Sequence, residues 1–134
     1  MPKKKSVLDA NVLLRFLLND IPSQVARIKL LLREAADNSL VIPDVVITEM
    51  VFVMQKYYSL EKADIVEKIS LILDFPKFKT NRKVIATALD FYLQKNFSFT
   101  DAYLCALVKT GQNSPLYTFD KGILKQKDIK SQQP

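Results

Sequence analysis

Short apolar segments alternate along the chain with longer segments in which apolar residues recur at helical spacing. The short segments are SVLD (residues 6–9), LVIP (40–43), KFKT (77–80) and PLYTF (115–119). Helical patterns fill the intervals, over about 10–18, 22–35, 44–57, 61–73, 82–95 and 99–110. Strands that are separated by helices pair in parallel, because each helix returns the chain to the same end of the sheet. The alternation therefore predicts an α/β fold, with a small parallel β-sheet sandwiched by α-helices.

The length and the distribution of charge limit how the chain can be organised. It has 134 residues with no repeat, low-complexity segment or linker, which predicts a single domain over residues 1–134. Positive charge lies at the ends: residues 1–5 form a basic N-terminal tail with three lysines, and residues 121–134 hold four lysines against one aspartate. Residues 128–134 are predicted to form a flexible tail. The positive charge at the two ends has two possible explanations. The ends could be solvated tails that keep the protein soluble, or they could bind a polyanion such as nucleic acid.

The composition excludes several classes of catalytic site. The chain contains no histidine, two glycines and one cysteine. Without histidine, Ser-His-Asp and Cys-His arrangements and imidazole metal sites cannot form. Two glycines are too few for a phosphate-binding loop or a dinucleotide fingerprint. Cys105, in the apolar run AYLCALV, is predicted to pack in the core. Any chemistry must therefore use carboxylates, amides, hydroxyls or basic groups.

The sequence has no membrane-spanning pattern. No segment approaches the roughly 20 apolar residues that such a helix needs. The start MPKKKSVLDANVLL has a basic head, but Asp9, Asn11 and Arg15 interrupt its apolar part and no small-residue cleavage site follows. A soluble cytoplasmic protein is predicted.

Four acidic residues interrupt the patterns around them. Asp9 directly follows the first predicted strand, and Asp120 follows the last one, LYTF. Glu49 lies in the largely apolar helix VVITEMVFVM, and Asp101 begins the helix DAYLCALV. In parallel α/β sheets, ligands bind at the carboxyl ends of the strands. We therefore expect these four carboxylates to converge at one edge of the sheet.

Three of the four have a local structural alternative at a turn or helix start. Asp9 could cap the helix that follows it. Asp101 fits the third position of a capping box that Ser98 opens in the run SFTD. Asp120 could be a turn aspartate ahead of Gly122. These alternatives compete with a functional role for each residue taken singly.

Glu49, the fourth of these acids, also has a structural alternative, and a structural role is expected for Asp20 as well. Glu49 could form a buried ion pair with Lys56 or Arg15, because a solvated glutamate would be out of place in so apolar a helix. Asp20, after the first helix, is expected to cap the helix that begins at Pro22.

Convergence of the four carboxylates would require either protonation or a bridging cation. Carboxylates within about 5 Å repel one another by a few kcal/mol per pair at an effective dielectric near 20. Oxygen ligands without His or Cys select Mg²⁺ or Mn²⁺ rather than zinc. A divalent ion held in this way suits phosphodiester chemistry. The basic tails would then hold a nucleic acid that the acidic site itself repels.

Four segments together resemble a known family. LDANVLLRFLLND, VVITEMVFVMQKYY, SFTDAYLCALVKTG and LYTFDKGI are similar, in order and local context, to the four motifs of the PIN-domain ribonucleases. The closest likeness is to the VapC-type toxins of bacterial and archaeal toxin–antitoxin pairs. The resemblance extends over nearly the whole chain, from about Val7 to Leu124.

The resemblance implies roles for individual residues. Asp9, Glu49 and Asp101 match the three central metal-binding acids, and Asp120 matches a fourth, more variable one. Asn11 and Thr118 match polar positions that support the site by hydrogen bonding. Candidate contacts to the RNA backbone are the lysines of the two ends: Lys3, Lys4, Lys5, Lys121 and Lys125.

The resemblance also implies an activity and partners. The activity is Mg²⁺- or Mn²⁺-dependent endonucleolytic cleavage of RNA, which leaves a 5′-phosphate and a 3′-hydroxyl. A homodimer is expected, as is a VapB-like antitoxin if the protein is a toxin.

Two other functions compete with this one. A haloacid-dehalogenase-type phosphatase needs Asp-x-Asp after its first strand, but this chain has Asp9-Ala10-Asn11 and lacks the second carboxylate. The second is a PIN-like module that binds RNA or a partner without cutting. The absence of one of the four acids would favour such a module, but the sequence contains all four.

Overall fold

The computed structural model describes residues 4–111 and 113–134. The chain divides into two compact units, of which the first ends at Asn81 and the second begins at Arg82. No helix in the described part of the chain is long and apolar enough to cross a membrane.

The first unit contains a three-stranded parallel sheet and four helices. Its strands are β1 (Ser6–Val7), β2 (Leu40–Val41) and β3 (Phe78–Lys79), in the order β1-β2-β3. The register aligns Ser6 with Leu40 and Leu40 with Phe78. The helices are α1 (Ala10–Leu18), α2 (Pro22–Glu34), α3 (Asp44–Lys56) and α4 (Lys62–Asp74). The predicted α/β class with parallel strands is confirmed.

Local sequence determines where α1 begins and ends. The Asp9 side chain accepts a hydrogen bond from the backbone N–H of Asn11 at 2.7 Å, which caps the first turn. The helix ends at Asn19, whose backbone is left-handed with φ of 53°. Asparagine tolerates this conformation better than most residues. The observed bounds of α1 equal the predicted ones.

Helices α3 and α4 bury one face each. On α4, the core positions recur at helical spacing: Ile65, Ile69, Ile72 and Leu73. On α3, the buried side chains are Ile47, Met50, Val51 and Met54. Helix α3 packs against both α1 and α4. The core of the first unit is therefore built mainly from aliphatic side chains.

The second unit contains three helices and two strands. Its elements are α5 (Arg82–Gln94), α6 (Phe99–Thr110), β4 (Leu116–Tyr117), α7 (Lys121–Leu124) and β5 (Ser131–Gln132). Helices α5 and α6 pack together, and the Tyr92 ring meets the Phe99 ring edge-on with 5.6 Å between centroids. Strand β4 pairs in parallel with β5, with Leu116 opposite Ser131.

The predicted flexible tail at residues 128–134 is corrected by the structure. Ile129 is buried, and Ser131–Gln132 form strand β5. The Lys95 ammonium also contacts this region, at 3.2 Å from the Asp128 carboxylate and 2.8 Å from the Gln126 side-chain oxygen. The polar run KSQQP has no apolar periodicity, so only its pairing with β4 makes it a strand.

Candidate functional site

Asp9 lies two residues after β1 and at the start of α1. Its carboxylate is exposed, and its Oδ1 accepts the hydrogen bond from the backbone N–H of Asn11. Asp9 therefore does cap α1, as the structural alternative expected. The cap uses Oδ1, so the second carboxylate oxygen remains able to face a cation. Capping and cation binding are compatible at this position.

Glu49 lies on the exposed face of α3. The expectation that a solvated glutamate would be out of place in this helix is wrong, because α3 buries the opposite stripe and leaves Val45 and Phe52 exposed beside Glu49. The alternative of a buried ion pair is wrong as well. Arg15 instead binds Gln24 and Asp20, and Lys56 lies 5.5 Å from the centroid of the Phe52 ring. The Glu49 carboxylate is thus accessible to a ligand.

Asp20 does not cap α2. The N-cap position is Ile21, which makes no side-chain cap bond, and Pro22 is at the first helical position. The Asp20 carboxylate accepts hydrogen bonds at 3.2 Å from both the Arg15 guanidinium and the Tyr58 hydroxyl. Asp20 therefore neutralises the charge of Arg15. The local sequence did not indicate this pairing.

Asp44 is a further acid that lies between a strand of the first sheet and the helix that follows it. It is the first residue of α3, while Pro43 occupies the N-cap position. Its Oδ2 accepts a hydrogen bond from the Asn81 side chain at 3.1 Å. Asp44 lies three residues after β2, as Asp9 lies two residues after β1, so both acids stand where a parallel strand passes into a helix.

In the second unit, Asp101 and Asp120 both lie in the first turn or cap of a helix. The backbone N–H of Asp101 donates to the Ser98 hydroxyl at 3.2 Å, as a capping box requires. Asp120 caps α7 through a 2.9 Å bond from the Ile123 N–H to its Oδ1. The Thr118 hydroxyl in turn accepts the backbone N–H of Asp120 at 3.0 Å. Thr118 thereby orients the backbone of Asp120.

Cys105 links these two acids electrostatically. Its thiol is fully buried, as the sequence predicted. Burial, together with the Asp101, Asp120 and Asp128 carboxylates, raises its pKa to about 11, while the Lys95 ammonium opposes them. Only charges in the neighbourhood of a thiol can disfavour its anion in this way. Asp101 lies one helical turn before Cys105 in α6, and the Asp120 carboxylate is close enough to Cys105 to affect its pKa.

The raised thiol pKa predicts a loss of stability in alkali. Between pH 9 and 11 the folded chain keeps the Cys105 proton that the unfolded chain loses, because the folded pKa is about 11 against an ordinary 9.0. The free energy of unfolding should fall over this range by about 2 kcal/mol from this group. Burial also raises the pKa of Tyr92, which acts in the same direction. Urea unfolding at pH 8 and pH 11 measures the effect. Cys105→Ala should show a smaller fall than the wild type, and an equal fall would contradict the prediction.

The predicted RNA-contact lysines are exposed wherever the structure describes them: Lys4, Lys5, Lys121 and Lys125. Lys3 lies outside the described residues. The Lys79 side chain contacts that of Lys5 and lowers the pKa of Lys5, through their hydrogen bond first. Lys121 follows Asp120 as the first residue of α7, and Lys125 is the C-cap of that helix. Positive charge thus flanks the start of β1 and the helix that Asp120 caps.

Each unit holds two of the four predicted acids. Asp9 and Glu49 are in the first unit, and Asp101 and Asp120 are in the second. Within either unit, the described residues include no group of three or more acidic, His or Cys side chains placed to hold a metal ion. A metal site made of all four acids therefore stays a prediction.

Comparison with known proteins identifies the family. A family model described as PIN domain matches residues 6–130, a range that spans both units and includes Asp9, Glu49, Asp101 and Asp120. No curated protein matches the chain. PIN domains are generally nucleases and generally use divalent metals. Since the match covers nearly all of its 134 residues, the chain belongs to the PIN-domain family.

Proposed function

We propose that this protein is a Mg²⁺- or Mn²⁺-dependent endoribonuclease. The observation behind the proposal is the PIN-domain match over residues 6–130, within which the four acids occur in the order of the family's motifs. Two local features support it. The Asp9 carboxylate is exposed two residues after β1, and the Asp120 carboxylate is exposed three residues after β4.

The chemistry of the donor set fits a hard divalent cation. We assign Asp9, Glu49 and Asp101 to holding the ion, and Asp120 to completing the site directly or through a water. All four offer carboxylate oxygens, which Mg²⁺ and Mn²⁺ prefer. When bound, such an ion lowers the pKa of a water and offsets the charge that develops on the phosphate. The backbone N–H of Asn11 donates to the Asp9 carboxylate at 2.7 Å, and the Thr118 hydroxyl accepts the backbone N–H of Asp120 at 3.0 Å.

The products implied by the family resemblance correspond to displacement of the 3′-oxygen. Water attacks phosphorus opposite the 3′-oxygen of the upstream ribose, and the bond between phosphorus and that oxygen breaks. The departing oxygen takes up a proton. The upstream fragment therefore ends in a 3′-hydroxyl and the downstream fragment begins with a 5′-phosphate.

We further propose that the protein is the VapC-type toxin of a toxin–antitoxin pair, active in the cytoplasm as a homodimer. The support is the resemblance of its four motifs to VapC toxins. Light scattering tests the dimer, which should have twice the mass of the 15.3 kDa chain. A VapB-like antitoxin is the expected partner.

Sequencing of RNA ends from cells tests the proposed activity. Cells that express the wild type should accumulate specific new 5′-phosphate ends, and cells that express Asp9→Asn should not. Identical end profiles for the two would contradict the endoribonuclease and favour a PIN-like module that binds without cutting.

A further inference from the structure

A cavity of about 520 Å³ lies between α1 and α2 in the first unit. This volume is within the range of sites that hold small molecules or single groups of larger ligands. Three apolar side chains line one part of it: Val12, Ile28 and Leu31. Asn11, Gln24 and two arginines line the rest. The cavity thus combines an apolar wall with cationic and amide groups.

The two arginines differ in how far they are already neutralised. The Arg15 guanidinium donates to the Gln24 side-chain oxygen at 3.0 Å and to the Asp20 carboxylate at 3.2 Å. Arg27 is exposed, and in the part of the chain that the structure describes it has no hydrogen-bond or ion-pair partner. The Arg15 side chain is therefore held in place, and its charge is already paired with Asp20. Arg27 supplies a positive charge that an anionic ligand can pair with.

The chemistry of the cavity fits one nucleotide. A guanidinium binds phosphate through two parallel N–H bonds, and aliphatic side chains pack against the face of a base. Asn11 and Gln24 add side-chain amides that can hydrogen-bond a base edge. An acidic peptide could pair with Arg27, but it has no base to pack against the apolar side chains while it hydrogen-bonds Asn11 and Gln24.

The cavity also lies beside one of the proposed catalytic acids. Asn11, which lines the cavity, donates its backbone N–H to the Asp9 carboxylate at 2.7 Å. A nucleotide in the cavity would therefore bring the adjoining part of its strand close to Asp9.

We propose that this cavity binds one unstacked nucleotide of the RNA substrate next to the cleaved bond, with its phosphate on Arg27 and its base against Val12, Ile28 and Leu31. This inference rests on the proposed nuclease function. A base can enter the cavity only when it is free of a duplex stack, so the preferred substrates are single strands and loops.

Binding and cleavage of a single-stranded oligoribonucleotide by Arg27→Ala test the proposal. Arg33→Ala is the matched control, because Arg33 is an exposed arginine of α2 that does not line the cavity. Arg27→Ala should raise KM by about tenfold with little change in kcat, as expected for the loss of one charge-assisted phosphate contact. The Kd of a labelled oligonucleotide, measured in an Asp101→Asn background, should rise by the same factor. The slope of log Kd against the logarithm of salt concentration should decrease by the amount expected for the loss of about one phosphate contact. Arg33→Ala should match the parent in every measurement.

The outcomes separate this proposal from the nuclease function. Cleavage by the wild type with equal KM and Kd for the two arginine variants would overturn the cavity assignment and leave the nuclease intact. Binding that depends on Arg27 without any cleavage would support the cavity and overturn the nuclease. Binding of polyglutamate that depends on Arg27, with RNA binding that does not, would assign the cavity to an acidic peptide and overturn the proposal.

Discussion

Asp9→Asn and Asp101→Asn are each expected to lower RNA cleavage by about a hundredfold or more, since each removes a negative charge that holds the cation on which the reaction depends. The substitutions leave the local caps in place. Asn is as good an N-cap as Asp, so the new side chain can still accept the Asn11 N–H and cap α1. At Asp101 it is the backbone N–H that binds the Ser98 hydroxyl, so the cap of α6 does not involve the altered side chain. Gel assays of oligoribonucleotide cleavage, with and without Mg²⁺, measure the effect.

Glu67→Gln is the matched control for these two variants. Glu67 is an exposed carboxylate of α4 that lies outside the four motifs. This variant should cleave as the wild type does, and all three variants should unfold within a few degrees of the wild type. EDTA should stop cleavage by the wild type, and added Mg²⁺ or Mn²⁺ should restore it. Cleavage that survives EDTA would contradict the metal mechanism, and full activity in Asp9→Asn would contradict the assignment of Asp9.

Phe99→Ala is expected to lower the free energy of unfolding by about 3–5 kcal/mol, the usual cost of removing a buried phenyl ring and leaving a cavity. Phe99 is 4% exposed, and its ring packs edge-on against that of Tyr92 at 5.6 Å. It is also the first residue of α6, the helix that presents Asp101. The variant should therefore lose activity along with stability. Denaturation by urea, followed by circular dichroism, measures the change.

Leu104→Ala provides the comparison on the same helix. Leu104 is 38% exposed, so its truncation removes less packing and should cost well under half as much as Phe99→Ala. Similar losses for the two variants would show that the Tyr92–Phe99 contact does not hold α6 in place.

The elements that could be predicted are those with strong local signals. Helix α1 has a cap at Asp9, apolar periodicity and a terminating Asn19, and its observed bounds match the predicted ones. Ser98 and Asp101 form the expected cap of α6. Each of these features depends on residues within one or two turns of one another, so the amino-acid sequence contains all the information required.

The features that could not be predicted depend on distant residues. Asp20 was expected to cap α2, but it binds Tyr58, which is 38 positions away in the chain. Strand β5 exists because Ser131 pairs with Leu116. Which face of α3 is buried depends on the helices that pack against it, and in so apolar a helix the sequence offers several faces of similar hydrophobicity.

The sequence by itself determined the order of the first four strands and the six longer helices, the caps at Asp9 and Ser98, and the four acids within the PIN-domain match. These follow from local hydrogen bonding and apolar periodicity. Only the tertiary structure decided that Glu49 is exposed, that Asp20 neutralises Arg15 while Arg27 stays unpaired among the described residues, and that a cavity adjoins Asp9. The physical reason is that exposure, charge pairing and cavities arise from side chains brought together by packing, and these lie far apart along the chain.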